Sequence, residues 1–138
     1  MQMFRAEHFV PTKWDTAEDK AWFANQFVKF VGSGFSENYF TKRFYDRLNG
    51  CFGHIAHYDL HGFWNHFFES QEGKVQFLKQ CMTHTCVGDP EWTYSDVERK
   101  LVEWLKANDA WAKAVADRRA EVEKRERAEL KRLKAKYE

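Results

Sequence analysis

Four of the six histidines and one of the three cysteines of this 138-residue chain fall in one short run, Cys51–His66, CFGHIAHYDLHGFWNH. On a helix turning about 100° per residue, His54, His57 and His61 share an arc of about 60°, and Cys51 stands one turn before His54. A second group, Cys81, His84 and Cys86, adds two thiols and an imidazole. Together the groups offer the four nitrogen or sulfur ligands that a tetrahedral zinc ion takes, in a structural site or in a zinc-dependent hydrolase. The same residues have a plainer use. Histidines on aromatic-rich helices serve as half-buried hydrogen-bonding groups, and cysteines as small core hydrophobes. The expectation is therefore no cofactor, with zinc as the alternative.

Other chemistry is harder to place. The chain has no H-E-x-x-H, no G-x-S-x-G and no glycine-rich phosphate loop, and Gly32-Ser-Gly34 lacks the third glycine of a dinucleotide fingerprint. Cys51 near His54, or His61 near Asp59, could pair as nucleophile and base, but any window this rich in histidine offers such pairs. The reading is a protein without enzymatic activity.

Charge points to binding. From Arg118 to Glu138 there are nine Lys or Arg and five Glu, a net +4, which leaves −3 on residues 1–117 of a chain whose total is +1. Arg119, Lys124, Arg127, Lys131 and Arg132 could meet phosphates, and Tyr39, Lys42, Arg43 and Arg47 could form a second basic, aromatic surface. Five interleaved glutamates oppose a grip on duplex DNA, so nucleic-acid binding is the alternative. The first expectation is a protein partner or self-association through Arg118, Val122, Arg125, Leu130, Leu133 and Tyr137.

The elements that carry these residues read as helices. Residues 1–14 lack a period and contain Pro11, which predicts an extended arm with Phe4, Phe9 and Trp14 lying on the body. Asp15 or Thr16 caps a helix through Phe23, Phe27, Phe30 and Val31 that stops at Gly32 and Gly34. Ser36 caps a second, with Phe40, Phe44 and Leu48, ended by Asn49-Gly50. Residues 51–69 predict short buried pieces bending near Asp59; Ser70 caps a helix to about Met82, and a loop held by Asp89-Pro90 follows. Ser95-Asp-Val-Glu98 has the form of a capping box, and no Gly or Pro follows it.

One final helix of about 40 residues, roughly 60 Å long, is expected on a body some 30 Å across. Val97, Leu101, Trp104, Leu105 and Trp111 give its first half a wide apolar face, with Asn108 among them. Residues 95–116 should pack and 117–138 project, helped by Glu121–Arg125 and Glu123–Arg127 pairs.

The run FGHIAHYDLHGFW, followed by GDPEWTYSDVERKLVEWL, is similar to uncharacterised small proteins encoded by phages and plasmids. The resemblance covers roughly residues 15–107 and carries over no site. It implies stoichiometric binding, including inhibition of host nucleic-acid-handling or defence machinery.

The sequence thus predicts an all-α protein: an arm over 1–14, one aromatic-rich domain of about five helices over 15–116, and a charged helical extension over 117–138. With 43% hydrophobic residues it has ample core material, and no apolar run approaches the roughly 18 residues that span a bilayer. A soluble, cytoplasmic protein with reduced thiols and no membrane partner is expected.

Overall fold

The computed structural model describes residues 3–53, 55, 58–83 and 88–137. Among them lie six α-helices and no strand: α1 Ala17–Gly32, α2 Lys42–Cys51, α3 Leu60–Phe67, α4 Gln71–Thr83, α5 Ser95–Ala107 and α6 Ala110–Tyr137. Short 3-10 turns at Ala6–His8 and Glu37–Tyr39 precede α1 and α2.

Each boundary has a local cause. Thr16 and Asp19 form a reciprocal capping box at the start of α1, where the Asp19 amide donates to the Thr16 hydroxyl (3.1 Å) and the Thr16 amide to the Asp19 carboxylate (3.1 Å). The end of α1 is a Schellman motif. Gly34, at φ +78°, donates to the Val31 carbonyl (3.1 Å), Phe35 donates to the Phe30 carbonyl (2.8 Å), and the Phe30 and Phe35 rings meet edge to face at 5.3 Å. Phe35 itself sits at φ +64°, a conformation costing about 1–2 kcal/mol for a residue with a Cβ, offset by burial of its ring. Ser36 caps only the 3-10 turn; the start of α2 belongs to Thr41, whose hydroxyl accepts from the Phe44 amide. Asp59 caps α3 as its bend required, and the Ser70 hydroxyl accepts from Gly73 at the start of α4.

The core is a stack of phenylalanines. Phe23, Phe27 and Phe30 from α1 meet Phe44 from α2, Phe63 and Phe67 from α3, Phe77 from α4 and Leu101 from α5, all fully or almost fully buried. Phe68 is the hub, with ring centroids 5.0 Å from Phe30 and 4.9 Å from Phe77. Such pairs add about 0.5–1.5 kcal/mol each beyond their buried area. Gly73 lets α4 approach the end of α3: a Cβ there would lie 2.5 Å from the Phe67 carbonyl oxygen.

Three further expectations are corrected. The last 44 residues are not one helix: the chain breaks at Asn108-Asp109, with Asp109 at φ +50°. Asn and Asp tolerate the left-handed region, and here the Asn108 side chain also donates to the Trp104 carbonyl (2.9 Å), satisfying the end of α5. The elbow turns α6 so that Ala110 and Ala114 bury against the body, chiefly on α4. Ser95 and Glu98 form no capping box, because Tyr94 occupies the cap position. The Ser95 hydroxyl instead donates to the Gly88 carbonyl (2.7 Å), and Glu98 is buried. Trp14 does not lie on the body as Phe4 and Phe9 do. The Thr12 hydroxyl accepts from the Asp15 amide (2.8 Å) and the Trp14 amide (3.1 Å), a turn that leaves Trp14 exposed.

Candidate functional site

The first candidate is the histidine and cysteine cluster. Cys51 and Cys81 are buried in the core, whereas His61 lies exposed on α3. Burial pushes the Cys81 thiol well above its ordinary pKa, and the nearby Glu98 carboxylate pushes it further. Among the described residues no group of three or more His, Cys, Asp or Glu could hold a metal ion. His54, His57, His84 and Cys86 lie outside the described residues. His66, from the same run, is an aromatic neighbour: its ring stacks on Tyr58 at 4.8 Å and meets Phe67 edge to face at 4.5 Å.

The second candidate is the basic face of α2. Every cation on it has a carboxylate. Lys42 pairs with Asp46 (3.1 Å), Arg43 with Asp19 (3.4 Å), and Arg47 with Asp15 (3.7 Å) and Asp19 (3.9 Å). The Arg43 guanidinium also lies 3.8 Å from the centre of the Trp22 ring, and Tyr39 packs against the core edge. The Asp19 carboxyl is held below its ordinary pKa, first by the Thr16 amide and then by the Thr16 hydroxyl, Arg47 and Arg43, against the opposing effect of burial. The Tyr94 hydroxyl is pushed up, first by burial and then by Asp15. Through Arg43 and Arg47 this network ties α2 to Asp15 and Asp19 at the start of α1.

The third candidate is α6. The ion pair of Arg118 with Glu72 on α4 (2.9 Å) ties it to the body and also helps to hold the Glu72 carboxyl low, after the hydrogen bond from Gln76. Residues 122–137 are all exposed. Arg125 pairs with Glu121 as expected, and Arg132 with Glu129. Lys131, Lys134 and Lys136 have no carboxylate among the described residues, although Lys136 lies 5.5 Å from the Tyr137 ring centre. Val122, Leu130, Leu133 and Tyr137 are exposed large hydrophobics on this rod, and Arg118 marks its root. The helical register carries them along one side of α6, drifting as the four-residue offset between Val122 and Glu126 predicts. Arg119, Lys124 and Arg127 are exposed on the same rod.

Sequence reasoning missed two features. Lys20 and Glu98 are fully buried ionisable residues. The signal was present: Lys20 precedes Phe23 and Phe27 by three and seven, and Glu98 precedes Leu101 and Leu105 by three and seven, so both sit on apolar stripes. The other is an exposed pair of indoles, Trp14 and Trp92, whose ring centroids are 6.0 Å apart. No spacing announces it, since the partners are 78 residues apart.

Compared with protein-family models, curated proteins and solved structures, the chain matches none. No helix among the described residues is long and apolar enough to cross a membrane.

Proposed function

We propose that the protein works without turnover, as a stoichiometric protein-binding module whose docking element is the free end of α6. One observation carries this reading: Val122, Leu130, Leu133 and Tyr137 are 43, 55, 37 and 77% exposed on a helix that has left its own body behind. Sixteen residues, 122–137, extend about 24 Å at 1.5 Å per residue. An isolated stretch of this length is marginal in water, so the ordering of the rod gains from a partner that covers its apolar side. The body supplies an anchored root, through Ala110, Ala114 and the Arg118–Glu72 pair.

The test uses the triple variant L130A/L133A/Y137A, which alters only exposed positions. Wild type and variant serve as bait in nuclease-treated extract and are weighed as pure proteins by light scattering. A partner held in fixed ratio by the wild type and lost by the variant supports the reading. Equal retention by both overturns it.

A second reading has its own observation. Between residues 130 and 137 there are four cations, Lys131, Arg132, Lys134 and Lys136, and no acid. A nucleic-acid contact there would weaken linearly on a log–log salt plot and would be lost in K131E/K134E/K136E while surviving L130A/L133A/Y137A. Salt-independent or absent binding to duplex DNA and to RNA disposes of it.

A further inference from the structure

The exposed indole pair and the free end of α6 complement one another. Trp14 and Trp92 are 71 and 55% exposed and meet edge to face. Large aromatic side chains left open in contact with each other are typical anchors of protein interfaces, where tryptophan leads the residues that carry binding energy. Val10 is exposed, and two shallow grooves that share Pro11, Thr12 and Lys13 adjoin the pair, one lined by Trp14 and the other by Val10 and Trp92. Three acids, Asp15, Glu18 and Glu91, line these grooves against one cation, Lys13. Asp15 is engaged by Arg47, which leaves Glu18 and Glu91 facing outward. An acidic rim repels phosphates, so stacked nucleobases are not the occupant; it attracts a cationic segment, whose charges can also lie on the indole faces.

The chain contains such a segment. The end of α6 interleaves Leu130, Leu133 and Tyr137 with Lys131, Lys134 and Lys136. Its side chains lie open, and so do the indoles, so neither covers the other within one molecule. We infer that the Trp14–Trp92 platform is the docking surface for the α6 rod of a second copy of this chain. This rests on the reading of α6 as a docking element and names its partner. Leu133 and Tyr137 supply the apolar contact, and Lys134 and Lys136, which flank them on the helix, meet Glu18 and Glu91. Platform and rod are different surfaces, so a closed dimer requires two copies to exchange rods reciprocally about a two-fold axis, whereas one-way docking would link copies into an open chain.

The experiment measures association of the full chain by sedimentation from the micromolar to the submillimolar range, with circular dichroism confirming that each variant is folded. The wild type associates, and W14A/W92A, E18K/E91K and K131E/K134E/K136E each weaken association at least about tenfold. Mixing E18K/E91K with K131E/K134E/K136E restores a heteromeric complex, since each then offers the charge the other lacks. Association that is lost in L130A/L133A/Y137A but unchanged in W14A/W92A overturns the platform while leaving α6 as a docking element. A wild type that stays monomeric throughout overturns the inference, and bait capture by the rod then judges the α6 reading separately.

Discussion

The Lys20 ammonium lies 3.0 Å from the Asp96 carboxylate, in a pocket where Lys20 is fully buried. It also donates to the carbonyls of Pro90 (2.8 Å) and Thr93 (3.0 Å), while Asp96 accepts from the amides of Val10 (3.0 Å) and Val97 (2.9 Å). One ion pair thereby pins the N-terminal arm, α1, the turn before α5 and α5 itself. The arm carries Trp14 and the turn carries Trp92, so this pair also sets the indole platform.

Lys20→Met removes the cation and leaves a largely buried carboxylate and two carbonyls short of a donor. Breaking a buried pair from one side costs about 3–5 kcal/mol. Urea unfolding followed by tryptophan fluorescence should show that loss, together with an altered native emission as Trp14 and Trp92 separate. A loss under about 1 kcal/mol would mean that water takes over the role of Lys20.

Asp19 makes stability depend on acid. Its folded pKa lies below its ordinary value of 3.8, chiefly through the Thr16 amide. Between the lower folded pKa and the unfolded one, the unfolded chain binds more protons. The stabilisation is therefore fully present above the unfolded value and is lost as pH falls through the folded value. Denaturant midpoints should drop below about pH 4 in the wild type and drop less in Asp19→Asn, which has no such carboxylate. Parallel curves would assign the acid sensitivity elsewhere.

Much of the architecture was legible because it rests on local rules. The Thr16 cap, the Gly34 stop, the Asp59 bend and the apolar spacing of Phe23, Phe27 and Phe30 are all short-range and fix α1 and α3 closely. The break at Asp109 was not legible, because Asn108-Asp109 is a mild helix breaker whose effect depends on what α6 gains by packing Ala110 and Ala114 on α4. Ser95 and Glu98 misled for a related reason: the capping-box spelling was overridden by a tertiary hydrogen bond to Gly88 and by burial of Glu98. The exposed end of α6 was legible in the thinning of its apolar face beyond Val115, although the single rod on which the reading placed it is broken at Asn108-Asp109. The indole platform, built by two loops meeting, was not.

The elbow provides a direct test of that override. Asp109 holds a left-handed conformation that Asn and Gly tolerate and a β-branched residue resists. Asp109→Val should cost about 1–2 kcal/mol, or drive α5 and α6 toward one continuous helix that lifts Ala110 and Ala114 off α4. Asp109→Asn and Asp109→Gly should stay within about 0.5 kcal/mol of the wild type. Thermal melting ranks the three variants, and equal losses for Val and Gly would show that backbone conformation is not what the position selects.

Cys81 separates the two uses of the cysteines. In the folded protein its thiol is buried on α4 and held protonated by burial and by Glu98, so the thiolate that attacks an alkylating agent is scarce. Iodoacetamide at neutral pH should therefore label Cys81 only through opening of the fold, at a rate that rises with urea in step with unfolding. Mass mapping of the labelled peptide reports this site alone. A core cysteine also predicts the same melting temperature with and without a strong chelator. Rapid native labelling, or a melting temperature that falls when the chelator is added, would instead place Cys81 in a reactive or metal-holding site.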